Sequence, residues 1–245
     1  MTNPENALST TPSQRNTKPL AVVFDMDDTL YSERQYVLSG YSAAVETLSD
    51  NLVDTNKHNL CVFLTKRFDA GLSSNAFDAM NEKYDLGLSK ADISKLVETY
   101  RLHVPTDIKP YDGVHEILAK LDDAGLKLGL LSDGYLPAQR LKLKALGLER
   151  YFHSIVFTQN LGPDAWKPSH RGFELIAARL QVPHAQCVYV GDNLAKDFVA
   201  PNALGWRSIQ IIHPGQVHAG RTPPPRGEPQ KVAHGFAQLS EMLML

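Results

Sequence analysis

Ala21-Val22-Val23-Phe24-Asp25-Met26-Asp27-Asp28-Thr29-Leu30 is the stretch of the sequence that decides the fold. Residues 20–24 are branched or aromatic and have no polar face, which predicts a strand buried on both sides, as in parallel sheets. Unpaired buried charge is costly, so the strand should end at Asp25. Side chains two residues apart in an extended chain point the same way. We therefore expect Asp25 and Asp27 to face one crevice, where their repulsion requires a proton or a cation.

The composition restricts the class of protein. The chain has 245 residues, 43% hydrophobic and 21% charged, which is ordinary for one large globular domain or a domain with an insert. The net charge of -2 gives no electrostatic case for binding nucleic acid or an anionic membrane. Two distant cysteines, Cys61 and Cys187, argue against a disulfide framework or a zinc site. Residues 1–19 are polar and lack the apolar core of a signal peptide, and no apolar stretch is long enough to span a membrane. We interpret residues 1–19 as a disordered segment that precedes a cytoplasmic protein.

Residues 31–109 carry helix patterns and no convincing strand. Apolar residues recur at helical spacing after Ser32, which with Gln35 resembles a capping box. Further helices are predicted over 60–68, 76–83 and 89–103. A strand-to-helix loop in a parallel α/β unit usually takes only about 2–6 residues. The pattern therefore predicts a small helical insert, residues 31–109, placed directly after the first strand and its acidic residues.

The rest of the chain alternates between strand and helix patterns. This alternation predicts an α/β fold with a doubly wound parallel sheet, formed by residues 20–30 and 110–245. Asp112 is expected to cap the first helix of this part. Residues 214–230 are crowded with Pro and Gly and are expected to form a mobile loop. The predicted strands are 126–131, 154–157, 187–190, 206–212 and a short edge piece at Val232, and the helices are 114–123, 137–146, 169–180 and 236–243.

Polar residues follow these strands at their carboxyl ends, where ligands bind in doubly wound sheets. The residues that share this placement are Asp25, Asp27, Ser132, Lys167, Asp192 and Asp197. Carboxylates that converge on one crevice need a cation, and hard oxygen ligands suit Mg²⁺. A cation, a lysine, a hydroxyl and free backbone N–H groups form a phosphate cradle. One carboxylate can then act as a nucleophile, and a second as general acid and base.

The sequence resembles the haloacid dehalogenase-like (HAD) superfamily, in the branch that has a helical cap domain (C1, subfamily I), which implies that residues 31–109 form that cap. The resemblance runs from residue 20 to about residue 243. Four motifs match in order: Phe24–Leu30 with the DxDxT pattern, Leu130–Gly134, Trp166–Pro168, and Val190–Asn193, which Asp197 completes as GDxxxxD. Each motif alone is weak, but four in order at predicted strand ends or loops are specific.

The resemblance implies a role for each site residue. Asp25 is the nucleophile, and Asp27 is the acid/base whose backbone carbonyl also binds Mg²⁺. The implied metal site comprises Asp25, Asp27, Asp192 and Asp197, the last acting directly or through water. Ser132, Asp133 and Lys167 are assigned to the phosphate side, and a role for Asp133 in supporting the metal shell stays open.

The residue two positions after the nucleophile separates reactions within the superfamily, because its dehalogenases lack an aspartate there. Asp27 therefore implies a Mg²⁺-dependent phosphatase that hydrolyses a small phosphomonoester, such as a sugar phosphate or a nucleotide monophosphate. A phosphomutase of the β-phosphoglucomutase type would use the same core and is the alternative enzyme. A non-catalytic binding protein is the alternative from another class, since fold does not fix function. The sequence does not indicate an oligomeric state.

Several polar residues near the motifs have more than one interpretation. Asp28 is expected to cap a helix or turn. Tyr31, Glu33 and Arg34 leave the first motif directly, so they either face the substrate or lie on the surface of the first cap helix. The last group, His213, His218 and His234, is interpreted as solvated loop histidines.

Overall fold

The computed structural model describes residues 18–48 and 56–243, so the segment 1–19 lies outside the described residues apart from its last two. Within these residues the strands are β1 (Ala21–Phe24), β2 (Lys127–Ser132), β3 (Ser154–Phe157), β4 (Cys187–Gly191), β5 (Arg207–Ile211) and β6 (Lys231–Ala233). The helices are α1 (Glu33–Glu46), α2 (Lys57–Asp69), α3 (Ala76–Tyr84), α4 (Lys90–Leu102), α5 (Val114–Asp123), α6 (Leu136–Leu146), α7 (Arg171–Leu180), α8 (Val199–Ala203) and α9 (Phe236–Leu243). No helix in this described part has the length and apolar character that crossing a membrane requires.

All six strands pair in parallel, in the order β3-β2-β1-β4-β5-β6. The predicted α/β fold with a doubly wound parallel sheet is confirmed. Strand β1 lies at the centre, with Val23 opposite Gly129 of β2 and Tyr189 of β4. The direction of strand addition reverses between β1 and β4, and a crevice forms at such a switch point.

Strand β1 is buried on both faces, and its residues alternate between two cores. Val22 and Phe24 pack into a cluster with side chains of α5, α6 and α9. Ala21 and Val23 pack into a second cluster with side chains of α7 and α8. Burying one such valine or phenylalanine side chain contributes about 1.5–3 kcal/mol. Two-sided burial explains why this strand has no polar residue before Asp25.

Helices α1–α4, residues 33–102, pack around a cluster of their own, and we call them the helical unit. Two chain segments connect this unit to the sheet, and they are bonded to each other. Tyr31 and Pro110 form an antiparallel bridge, and the Tyr111 amide donates to the Leu30 carbonyl at 2.9 Å. The helical unit is therefore attached to the sheet through a paired connection rather than through two independent links.

Two predicted caps are wrong. The side chain of Ser32 makes no capping bond, and Asp28 accepts the hydrogen bond of the Glu33 amide at 2.9 Å instead. Asp28 is fully buried with a φ of 53°, which turns its carboxylate toward the start of α1. Helix α5 is not capped by Asp112, because Gly113 holds the N-cap position with a φ of 88° and no side-chain bond.

The Pro- and Gly-rich segment 214–230 is bonded to the core near both of its ends. Near its start, Gln216 Nε2 donates to the Asp28 carbonyl at 2.7 Å, and the Val217 amide donates to the Asp28 carboxylate at 2.5 Å. Near its end, Asn202 Nδ2 donates to the Glu228 carbonyl at 2.8 Å. Asp28 thus connects the loop after β1 to the start of α1 and to this segment. Its bond to the Glu33 amide is the helix cap that was predicted for it.

Candidate active site

The carboxyl ends of β1, β2 and β4 meet at one edge of the sheet. Asp25 follows β1, Ser132 is the last residue of β2, and Asp192 follows β4. A cavity of about 270 Å³ lies at this edge, between the sheet and the helical unit. Its lining includes Asp25, Asp27 and Asp133 from the sheet side and Glu33, Tyr36, Tyr100 and Arg101 from the helical unit. All seven predicted site residues lie at this edge: Asp25, Asp27, Ser132, Asp133, Lys167, Asp192 and Asp197.

Lys167 joins two of the buried carboxylates. Its Nζ atom lies 2.8 Å from Asp25 Oδ2 and 2.8 Å from Asp197 Oδ1, and it donates to the Tyr189 hydroxyl at 2.9 Å. Burial opposes the charge on Lys167, but Asp197 and Asp25 outweigh it and raise its pKa well above the usual value. Burial also raises the pKa of Asp25 to about 6, against the opposing effect of Lys167. One ammonium group therefore does not fully compensate the buried carboxylates around it.

Asp25, Asp192 and Asp197 form a cluster that can hold a cation. Each offers a carboxylate oxygen, and these atoms all lie within 4.8 Å of one another. Asp192 Oδ2 is buried and has no hydrogen-bond partner among the described residues. Burial, together with Asp197 and Asp25 nearby, raises the pKa of Asp192 well above its ordinary value. An unsatisfied oxygen in a set of hard oxygen donors fits a divalent cation such as Mg²⁺.

The oxygens of Asp197 are largely engaged by the protein. Oδ1 pairs with Lys167, and Oδ2 accepts the hydrogen bond of the Asn193 amide at 2.9 Å. Thr29 donates through Oγ1 to Asp192 Oδ1 at 3.3 Å, which leaves Oδ2 of Asp192 as the free oxygen. Within the cluster, Asp192 is therefore the better placed ligand and Asp197 the better placed support.

Asp27 does not belong to this cluster, because its carboxylate turns toward α6. Oδ1 accepts hydrogen bonds from the Tyr31 hydroxyl at 2.5 Å and from Lys142 Nζ at 2.8 Å. Oδ2 accepts one from Gln139 Nε2 at 2.7 Å. Burial would raise the pKa of Asp27, but Lys142 and the hydrogen bonds from Gln139 and Tyr31 outweigh burial and lower the pKa below its usual value. Three donors thus fix the direction of this carboxylate.

Ser132 and Asp133 lie between these two groups. Ser132 Oγ accepts a hydrogen bond from Gln139 Nε2 at 2.8 Å. Asp133 Oδ1 accepts one from the Lys167 amide at 3.2 Å, and Oδ2 pairs with Lys196 Nζ at 3.0 Å. The Asp133 carboxylate therefore holds the backbone of Lys167 and a second lysine at the cavity.

Of the three residues that follow the first motif, Tyr31 and Glu33 lie at the site and Arg34 lies on the surface. Tyr31 is buried against Asp27, and Glu33 lines the cavity. Arg34 pairs with Asp69 at 2.8 Å on the surface, with both side chains more than a third exposed.

The interpretation of the histidines as solvated is wrong for His213, which is buried and stacks on Tyr111 with ring centroids 3.9 Å apart. His218 lines the active-site cavity, while His234 is exposed.

Sequence reasoning missed Gln139, Lys142 and Lys196. Gln139 and Lys142 are three residues apart on α6, so they share one face of that helix. These two polar residues lie on the helix that directly follows the second motif, and that placement could have indicated a role at the site. Lys196 lies between Asp192 and Asp197 in the fourth motif, and its distance from Asp133 in the chain concealed their contact.

The sequence was also compared with known proteins. Residues 19–205 match the family model described as haloacid dehalogenase-like hydrolase. The glyceraldehyde 3-phosphate phosphatase of Methanopyrus kandleri is 28% identical over 78% of this chain and 83% of its own length. The ribulose-1,5-bisphosphate 5-phosphatase of Halopiger xanaduensis is 26% identical over 77% of this chain and 83% of its own length. The phosphoglycolate phosphatase of Xanthomonas campestris pv. campestris is 26% identical over 79% and 83%.

Solved structures share the fold. The HAD-hydrolase YfnB of Bacillus subtilis, bound to magnesium, superposes with a TM-score of 0.67 at 19% identity, and covers 94% of this chain and 100% of its own. A HAD phosphatase of Thermococcus onnurineus gives a TM-score of 0.60 at 24% identity over 93% and 98%.

Proposed function

The chain belongs to the haloacid dehalogenase-like hydrolase family, and we propose that it is a Mg²⁺-dependent phosphatase that hydrolyses a small phosphomonoester through an aspartyl-phosphate. One observation carries the proposal. Asp25 and Asp27 emerge from the same strand, but their carboxylates are held by different partners. Lys167 contacts Asp25, whereas Lys142 and Gln139 contact Asp27. Two carboxylates with separate supports suit two separate roles, a nucleophile and an acid/base.

In the first step, a carboxylate oxygen of Asp25 attacks phosphorus and the bond from phosphorus to the leaving oxygen breaks. Lys142, Gln139 and Tyr31 keep Asp27 ionised before substrate binds, so Asp27 takes up a proton from the bound phosphomonoester monoanion and passes it to that oxygen, and the alcohol leaves neutral. In the second step, water attacks phosphorus while Asp27 takes a proton from it. Asp25 is then regenerated and inorganic phosphate is released.

The remaining residues bind and position. Lys167 and the hydroxyl of Ser132 would contact the phosphoryl oxygens, where negative charge develops. A bound Mg²⁺ would supply charge neutralisation and polarise the phosphoryl group, held by Asp25, Asp192 and the backbone carbonyl of Asp27. Asp133 and Asp197 act through Lys167, because both contact it in the structure.

The relatives support the phosphatase class, since those described above are named as phosphatases of small phosphorylated compounds. The helical unit closes one side of the cavity, and we propose that it is the cap domain, residues 31–109. A cap in this position contacts the leaving group and excludes bulk water during the reaction.

The nucleophile assignment is tested with Asp25→Asn. Phosphate release from 4-nitrophenyl phosphate with Mg²⁺ is expected to fall by at least about 10³-fold, because an amide does not replace the attacking carboxylate. Acid-quenched wild-type enzyme should carry one phosphoryl group on the peptide that contains Asp25. Asp164→Asn is the matched control, since Asp164 is exposed and three residues before Lys167. Turnover of Asp25→Asn within tenfold of wild type would remove Asp25 from this role.

A further inference from the structure

A second cavity, of about 430 Å³, lies inside the helical unit and adjoins the active-site cavity. Glu33, Tyr100 and Arg101 line both cavities, so they form the boundary between them. The reaction described above takes place in the first cavity and uses no residue that lines only the second. Cavities of about 300–1,000 Å³ typically hold ligands of drug size. The second cavity therefore has room for a ring system.

Seven of the twelve residues that line the second cavity are apolar or aromatic, and four of these are aromatic: Tyr41, Phe68, Phe77 and Tyr100. Tyr41 contacts Phe77 edge-on with ring centroids 5.9 Å apart, and it lies 5.5 Å from Tyr100 at an interplanar angle of 34°. Val37 and Val97 come from α1 and α4 on either side. Flat aromatic and aliphatic walls of this kind suit a planar, unsaturated ring.

Three polar residues of the lining lie at or just before the start of α3. Ser73 and Asn75 precede α3, and Asp78 lies in its first turn. These side chains are exposed, and they offer both hydrogen-bond donors and acceptors. An apolar slot with a polar edge matches a ring that carries polar atoms on its periphery.

Two of the three boundary residues, Glu33 and Arg101, are ionisable, and neither forms an ion pair with another described residue. Arg101 contacts the ring of Tyr135 at 5.7 Å, and no carboxylate lies within ion-pair distance of it among residues 18–48 and 56–243. In contrast, Lys142, Lys167 and Lys196 at the first cavity each pair with an aspartate. In the same part of the chain, Glu33 forms no ion pair either. Arg101 and Glu33 are thus free to bind hydroxyl groups that lie between the phosphate and the ring.

We propose that the second cavity binds the leaving group of the substrate, and that the substrate is a phosphomonoester whose alcohol joins a hydroxylated carbon chain or sugar to a planar heteroaromatic ring. Nucleoside 5′-monophosphates have this chemistry. The phosphate occupies the first cavity, the sugar hydroxyls meet Glu33 and Arg101, and the base lies between Tyr41 and Val97. This inference rests on the phosphatase function proposed above and specifies the substrate class for it.

The first test compares substrates on the wild-type enzyme and needs no variant. Ribose 5-phosphate and the four common ribonucleoside 5′-monophosphates share the phosphate and the sugar, and they differ by the base. We expect kcat/KM for at least one nucleotide to exceed that for ribose 5-phosphate by tenfold or more. Equal or lower values for all four nucleotides would overturn the inference.

The second test blocks the cavity. Val97→Phe places a larger side chain in the wall, and it should lower kcat/KM for the preferred nucleotide at least tenfold while ribose 5-phosphate stays within about twofold. Ile93→Phe is the matched control, because Ile93 lies one turn earlier on α4 and does not line this cavity. If Val97→Phe retains the full nucleotide preference, the ring does not bind there and the inference is refuted. Should that variant fold poorly, Val97→Met carries the same expectation with a smaller loss.

The two proposals fail in different ways. Turnover of ribose 5-phosphate or 4-nitrophenyl phosphate without any nucleotide preference would overturn the inference and leave the phosphatase function in place. No phosphate release from any of these compounds would overturn the phosphatase function itself.

Discussion

Lys142 holds the proposed acid/base residue, so replacing it by methionine should slow the reaction without weakening substrate binding. Its Nζ atom lies 2.8 Å from Asp27 Oδ1, and its side chain is only 7% exposed. Methionine keeps most of the apolar stem and removes the charge, together with the contact of the ammonium group over the Tyr36 ring, where Nζ lies 4.2 Å from the ring centroid. Gln139 and Tyr31 still contact Asp27, so the carboxylate stays in place but is less firmly directed.

The magnitude follows from the bond that is lost. A hydrogen bond to a charged group contributes about 1.5–3 kcal/mol. Each 1.36 kcal/mol of barrier is a factor of about ten in rate, so kcat should fall about 10- to 150-fold if the full contribution is made in the transition state. KM should change little, since Lys167 and Ser132 are the residues assigned to the phosphate.

Steady-state kinetics on ribose 5-phosphate at saturating Mg²⁺ measure both parameters, because its alkoxide leaving group needs the proton that Asp27 supplies. Lys144→Met is the matched control, because Lys144 is exposed on the same helix. It should leave both kcat and the unfolding temperature unchanged, whereas Lys142→Met should unfold at a temperature lower by several degrees, because it removes one partner of a nearly buried ion pair, and should still be folded at the assay temperature. A kcat for Lys142→Met within threefold of wild type, or a rise in KM at unchanged kcat, would refute the reasoning and make Lys142 a substrate-binding residue.

Three further predictions concern the metal site, a buried carboxylate and a buried histidine. Asp192→Asn should raise the Mg²⁺ concentration that gives half-maximal activity at least about tenfold, because it removes the charge of the proposed ligand whose Oδ2 atom is unsatisfied. A titration of activity with Mg²⁺ measures this concentration, and an unchanged value would contradict the proposed metal site. Asp28→Ala should lower the free energy of unfolding by about 1–3 kcal/mol, since the amides of Glu33 and Val217 lose their acceptor. Urea denaturation measures this free energy, and a value equal to that of wild type would disprove the prediction. Burial lowers the pKa of His213 to about 4, whereas the unfolded chain titrates near 6.5. The unfolded state therefore binds the extra proton between these values, and wild type should lose up to about 1.4 kcal/mol of stability per pH unit as pH falls from 6.5 to 4. His213→Phe should lack this contribution, so urea denaturation of both proteins at pH 7 and pH 5 compares them, and equal pH dependence would exclude it.

The sequence predicted the sheet well because its signals are local. Each strand is a short apolar run that ends in a polar residue, so residues 154–157 were predicted without error and β4 was missed by one residue at its end. Helix α5 was also predicted at its observed bounds, 114–123, with Gly125 marking its end, although Asp112 does not cap its start as expected. Such patterns depend on the backbone preferences of neighbouring residues, and the sequence displays those directly.

The caps were predicted less well, since the group that caps a helix need not be near it in the chain. Ser32 was adjacent to α1 and had the right side chain, yet the buried carboxylate of Asp28 reaches the first amide instead. The position of Asp28 also depends on Val217, which is 189 residues away. A local pattern does not reveal a partner that only the fold brings close.

The candidate site was likewise predicted where its signals are local and missed where a contact depends on the fold. Motif spacing placed Asp25, Asp192 and Lys167 at one edge, because parallel strands end on the same side of a sheet. The support of Asp27 by Gln139 and Lys142 depends on how α6 packs beside β1, and 112 or more residues separate the partners. The burial of His213 depends likewise on Tyr111 and Phe236, which lie far from it in the sequence.

The paired connection between the sheet and the helical unit also contacts the carboxylate proposed as the acid/base. Tyr31 belongs to that connection through its bridge to Pro110, and its hydroxyl also donates to Asp27. If the helical unit rotated about this connection, Tyr31 would move with it and change the direction of the Asp27 carboxylate. We expect a leaving group that draws the unit inward to set the proton donor in place by the same motion, so that substrate capture and the readiness of Asp27 are mechanically coupled.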